Sequence, residues 1–148
     1  MATVQEVFDA TMSLMDELDD SGNAMTGDTT EYFNRTLRIM NVLIGECYPY
    51  SDLRDTTKML SAWRPVEDME DDLAKTSKID NTLALSVMPS GLAANLLVDE
   101  NPSSASFFQQ RYEELLRQKA MKMQATIESI EDVYGGFTSW PYGGIWGV

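Results

Sequence analysis

Residues 28–48, DTTEYFNRTLRIMNVLIGECY, decide the fold class. Phe33, Leu37, Met40, Ile44 and Cys47 recur at spacings of 4, 3, 4 and 3, the period of a helix with one apolar face, and Tyr32, Ile39 and Leu43 widen that face. Asp28 followed three residues later by Glu31 marks a start. Pro49 marks the end, because a residue before proline is pushed out of the helical region. The spacing predicts a helix from about Asp28 to Tyr48. Cys47 then falls on its buried side and reads as a core cysteine, since the chain has no histidine to activate a thiol.

Upstream, Thr3 and Glu6 have the spacing of a capping box, in which each side chain satisfies a backbone N–H of the first turn. Val4, Val7, Phe8, Met12, Met15 and Leu18 make one apolar stripe. Asp16, Glu17, Asp19 and Asp20 crowd the far end, where the helix dipole disfavours anions by some tenths of a kcal/mol each, so a partner, counterions or a stop at Ser21-Gly22-Asn23 is expected to offset them.

Downstream, residues 49–79 show no sustained period and read as a long connection, with room for a short hairpin; such long loops tend to be functional or interacting. Their acids Glu67, Asp68, Glu70, Asp71 and Asp72 lack the alternation, turn glycine and distal glutamate of a calcium loop. A solvated or partner-facing charge run is expected instead. A third helix covers about Asn81 to Asp99 with Leu83, Val87, Leu92, Leu96 and Leu97 inward, and Pro89 implies a kink or a restart with the proline in a first turn. Gly91, Ala93 and Ala94 permit close approach of a neighbour. After the turn at Asn101-Pro102, Ser103 or Ser104 caps a fourth helix whose stripe is Phe108, Tyr112, Leu115 or Leu116, Met123, Ile127 and Ile130, ending near Asp132. This helix is long enough to project from a small bundle.

The last 16 residues, VYGGFTSWPYGGIWGV, hold five of the nine glycines, five of the fourteen aromatic residues and no charge. Glycines and Pro141 forbid a helix, and exposed tryptophans invite aggregation. Tyr134, Phe137, Trp140, Tyr142 and Trp146 therefore read as an interface arm, ahead of a tail folded over its own core, because aromatics are enriched among binding hot spots. The expected architecture is mainly α: a small bundle of about four helices over residues 1–132, with a long connecting loop or short β-hairpin, and an extended C-terminal arm over residues 133–148.

Composition narrows the function. The 148 residues fit one domain; 24 Asp and Glu against 11 Lys and Arg give a net charge of -13, with one cysteine and no histidine. A single cysteine forms no internal disulfide, and without histidine the Ser-His-Asp triads, Cys-His dyads and histidine-containing zinc sites are excluded within one chain. No metal or cofactor is expected. The N-terminus has neither a basic start nor an apolar run, and no stretch approaches about 18 uncharged apolar residues, so the chain reads as soluble, unprocessed and not membrane-bound. Excess acid argues against a DNA binder. Eight acids and no base lie in residues 1–31, and six acids with two lysines in residues 67–80, so almost the whole imbalance sits in two segments.

The run Leu92-Ala93-Ala94-Asn95-Leu96-Leu97-Val98-Asp99-Glu100-Asn101-Pro102, followed by Ser106-Phe107-Phe108-Gln109-Gln110-Arg111-Tyr112-Glu113-Glu114-Leu115, resembles the head-tail adaptor (connector) proteins of tailed bacteriophages. TVQEVFDATMSLMDE near the N-terminus and IEDVYGG at residues 130–136 are similar to the same family. The likeness is one of helices and packing residues and contains no chemical signature; Ser51 to Lys78 contributes little to it. It implies a mostly helical, non-enzymatic virion protein at the head-tail interface, assembled in the host cytoplasm as a homo-oligomeric ring, commonly of about twelve copies, by contacts that close on rotation. Such a ring docks under the portal, continues the DNA channel and joins the capsid to the next tail or tail-completion protein. The resemblance further implies that the aromatic arm reaches the portal or a neighbouring subunit. It also implies that Asp16, Glu17, Asp19, Asp20, Glu67, Asp68, Glu70, Asp71 and Asp72 form an acidic channel or partner face, past which double-stranded DNA moves without specific binding.

A different reading of the same charge is a small acidic regulator that mimics DNA and binds a basic host protein. It leaves the glycine-aromatic tail unexplained. An enzyme ranks third: Glu113-Glu114 and Asp71-Asp72 are adjacent pairs, and neighbours in a helix diverge rather than converge on a substrate.

Overall fold

The computed structural model describes residues 2–17, 29–55 and 63–126. Among these residues five α-helices run in chain order: α1 (Val4–Leu14), α2 (Thr30–Cys47), the single turn α3 (Leu73–Thr76), α4 (Met88–Leu97) and α5 (Pro102–Thr126). The protein is mainly α. Among the described residues there is no strand, only an isolated bridge between Thr3 and Asp72, so the hairpin admitted for residues 49–79 is not seen there.

The capping box of α1 forms as its spacing predicts. Glu6 N–H donates to Thr3 Oγ1 at 3.2 Å and Thr3 N–H to Glu6 Oε2 at 3.1 Å. The remaining orphan donors of the first turn find loop carbonyls: Val4 N–H reaches Asp71 O and Gln5 N–H reaches Met69 O. Val4, Val7, Phe8 and Met12 are buried. The far end corrects the sequence reading, because α1 stops at Leu14, ahead of the acids. Asp16 adopts a left-handed φ of 59°, Glu17 N–H bonds to Met12 O at 2.9 Å and Asp16 N–H to Ser13 O at 3.3 Å. This is a Schellman cap, which turns the chain before Asp16 and Glu17 can join the last helical turn.

Helix α4 is the centre of the bundle, packed against α1, α2 and α5. Every residue from Met88 to Leu97 except Asn95 is buried. A helix apolar on all sides belongs inside a protein, and the run of small residues at Gly91, Ala93 and Ala94 lets neighbours close on it. Pro89 sits in the first turn of α4, the restart that its position predicts. The preceding residues, Leu83–Val87, form a wider π-helical turn in which Met88 N–H bonds back to Leu83 O. Helix α5 is capped by Asn101, not by Ser103 or Ser104: Asn101 Oδ1 accepts from Ser104 N–H at 3.2 Å, and Pro102 fills the first position, where a missing N–H costs nothing.

The segment 63–79 belongs to the core. Val66, Met69, Leu73 and Ile79 are buried in the same cluster as α1, α2 and α4, with Trp63 packed against it. Asn41 on α2 holds Val66 at both backbone groups, accepting from its N–H at 2.8 Å and donating to its carbonyl at 3.1 Å. Val66, Met69 and Leu73 do recur at spacings of 3 and 4, a signal too short to register as a period. No helix among the described residues is long and apolar enough to cross a membrane.

Candidate functional site

The described acids among those singled out in the sequence divide into two places. Asp71 Oδ2 accepts from Glu67 N–H at 2.8 Å and Asp68 N–H at 3.0 Å, and these two donors hold its carboxyl below the usual carboxylate range. Asp72 Oδ1 accepts from Ala74 and Lys75 N–H as the N-cap of α3. These two carboxylates are therefore engaged in building the turn, while Glu67, Asp68 and Glu70 stand exposed on it. The turn lies at the start of α1, whose first N–H groups it receives. Asp16 and Glu17 lie at the other end, separated from it by the 11 residues of α1, about 16 Å of helix. The structure does not bring the two groups onto one face. Asp19 and Asp20, and the arm residues Tyr134, Phe137, Trp140, Tyr142 and Trp146, lie outside the described residues.

Cys47 is in the core, as its place on the stripe predicts. Its Sγ is 3.4 Å from the Tyr112 hydroxyl, and burial pushes the thiol pKa up to about 12, the neighbouring hydroxyl only partly offsetting that. Tyr112 donates to Glu46 Oε2 at 2.8 Å, and burial also raises its own pKa. Neither group is poised for nucleophilic work, which needs a depressed pKa or an adjacent base.

The largest polar construction joins the C-terminal part of α5 to the loops before it. Lys119 Nζ is 2.8 Å from Asp52 Oδ2 and 3.3 Å from Asp80 Oδ2. Burial opposes the ammonium charge, but the two carboxylates outweigh it and hold the lysine pKa above its ordinary value. Asp80 Oδ1 also receives Leu83 N–H at 2.9 Å, and Asp80 Oδ2 receives Asp52 N–H at 2.9 Å. Ser51 Oγ donates to Lys78 O at 2.6 Å and accepts from Asp80 N–H at 3.2 Å. Sequence reading missed this network, although Ala105, Tyr112 and Lys119, all buried, recur every seven residues and so share one side of α5. Among the described residues, every buried side-chain polar atom has a hydrogen-bond partner, and no group of three or more Cys, Asp or Glu is placed to hold a metal ion.

Two depressions and a basic stretch of α5 are also open at the surface of the described residues. Leu14, Met15, Leu97, Phe107 and Phe108 line a groove of about 410 Å³ where the end of α1 meets the start of α5, with Glu17 at its rim. Phe107 is 61% exposed and Leu14 50%. A second depression, about 450 Å³, lies between α4 and α5 and is lined by small and amide side chains including Ala94, Ala105, Gln109 and Gln110. The outer side of α5 carries Arg111, Arg117, Met121 and Lys122, all exposed. Compared with known proteins, the chain matches no family model, no curated protein and no solved structure.

Proposed function

We propose that this chain is a structural adaptor of the head-tail interface of a tailed bacteriophage. In this reading it assembles as a ring that docks under the portal, continues the DNA channel and joins the capsid to the tail. The observation that carries the proposal is the sequence resemblance together with where its residues fall. Val4 to Met15 of the first similar string are α1 and its cap. Leu92 to Pro102 and Ser106 to Leu115 are α4, its turn and the first half of α5, and α4 packs against both other helices. Those described residues that resemble connector proteins thus pack together around α4, while residues 130–136 lie outside the described residues.

The engaged state of Cys47, Tyr112 and Lys119 supports work done by surfaces rather than by chemistry. The arm residues Tyr134, Phe137, Trp140, Tyr142 and Trp146 are assigned to the portal or a neighbouring subunit. Native mass spectrometry of the purified full chain, alone and with portal protein, tests the proposal. A single large oligomer, or a defined complex with the portal, is the expected result. A chain that stays monomeric in both samples overturns it. Removal of residues 134–148 is expected to abolish portal docking with an unchanged helical circular dichroism signal, and unimpaired docking would remove the arm from the proposal.

A further inference from the structure

Helix α5 has a sign opposite to the rest of the molecule. Its 25 residues hold four of the chain's eleven lysines and arginines but only two of its 24 acids. One of the four, Lys119, is committed to Asp52 and Asp80. The other three, Arg111, Arg117 and Lys122, are exposed on the outer side and make no ion pair among the described residues. They are interleaved with Phe107 and Met121, which are 61% and 62% exposed; the helical period puts Arg111 and Lys122 on one flank of the exposed side and Arg117 on the other, beside Glu113 and Glu114. From Arg111 to Lys122 the face runs about 16 Å along the helix. Unpaired cations flanked by large apolar side chains, on a chain of net charge -13, form a surface that fits an acidic, partly apolar protein.

The complement is present on the same chain. Glu67, Asp68 and Glu70 project from a turn that is already ordered by Asp71 and tied by backbone bonds to the start of α1, so docking against it requires little further ordering. We infer that the exposed face of α5 is the docking surface for a second copy of this chain, receiving the Glu67-Asp68-Glu70 turn of its neighbour. The two surfaces differ, so the contact is head-to-tail and repeats from copy to copy. The inference rests on the adaptor reading only in naming the contact that would build its ring. Duplex DNA is a poorer occupant, because the exposed Phe107 and Met121 gain nothing from phosphates.

Charge reversal on the full-length chain tests it. Arg111→Glu, Arg117→Glu and Lys122→Glu together, or Glu67→Lys, Asp68→Lys and Glu70→Lys together, are each expected to weaken self-association by about a hundredfold in sedimentation velocity, with unchanged helical content. Mixing the two triple variants restores opposite charges at every contact, so assembly is expected to return only in the mixture. Association unaffected by either triple variant, or failure of the mixture to assemble, overturns the inference while leaving a ring built through other contacts. A wild-type chain that is monomeric alone yet forms a defined complex with portal overturns the inference and spares the adaptor reading. Salt-sensitive binding of a duplex oligonucleotide that is lost in the α5 variant also overturns it.

Discussion

At Gly91 two helices close tightly on α4. A Cβ added there would lie 2.8 Å from the Tyr112 ring and 2.9 Å from Leu43 Cδ2, both in the core. Gly91→Ala gains helix propensity but must push Tyr112 or Leu43 aside, and overpacking of this kind costs about 1–3 kcal/mol. A net loss is expected, read as a lowered urea midpoint with an unchanged slope. Cys47 gives a second expectation at this scale. With a thiol pKa near 12 and no solvent access, native protein at pH 8 should resist alkylation, and labelling should appear only with unfolding. The stripe that placed Cys47 inward was legible in residues 28–48. Its contact with Tyr112 was not, because that pair is 65 residues apart in the chain.

Among the elements, α1 best separates local from nonlocal causes. Its start is a four-residue motif, and the spacing of Thr3 and Glu6 was sufficient to place it. Its end depends on Asp16 taking a left-handed conformation, which aspartate tolerates but which no spacing rule signals. Asp16→Gly removes the Cβ from that conformation and an anion from the negative end of the helix. A gain of about 0.5–1 kcal/mol is expected, and Asp16→Ala should lose stability instead. A thermal melt of the two variants compares them directly. The segment 63–79 makes the opposite point. Its acids looked like a free charge run, yet Asp71 and Asp72 are consumed by backbone N–H groups within a few residues, while Val66, Met69 and Leu73 go to the core. Short polar turns carry too few residues to show a period, so their packing becomes visible only against α1 and α2.

For the whole molecule, Lys119 is the fastening that fixes the distal part of α5 to Asp52 and Asp80. Lys119→Met leaves Asp80 without its cation, and a loss of about 2 kcal/mol is expected, below the range for fully buried pairs because Asp52 is largely exposed. The raised lysine pKa fixes the pH dependence. The contribution is complete below the ordinary lysine value of 10.5 and disappears as pH climbs through the higher folded value, so wild type and Lys119→Met should converge in stability at strongly alkaline pH. Denaturant titrations of both proteins from pH 8 upward check this. A difference that persists unchanged at the alkaline limit would remove the ionic component.

The sequence by itself determined that this is a helical protein, where α1 begins, which residues of the α2 stripe face inward and that the chain kinks or restarts at Pro89. Each of these depends on groups within one or two turns of one another, where backbone hydrogen bonds and a 3.6-residue period leave few alternatives. Tertiary structure alone decided that α4 is enclosed except at Asn95, that the described acids of the two groups stand at opposite ends of α1, and that of the four basic residues of α5 Lys119 is buried while the other three are exposed. Those outcomes follow from which helices meet, and burial and charge pairing act between residues that the chain order keeps far apart.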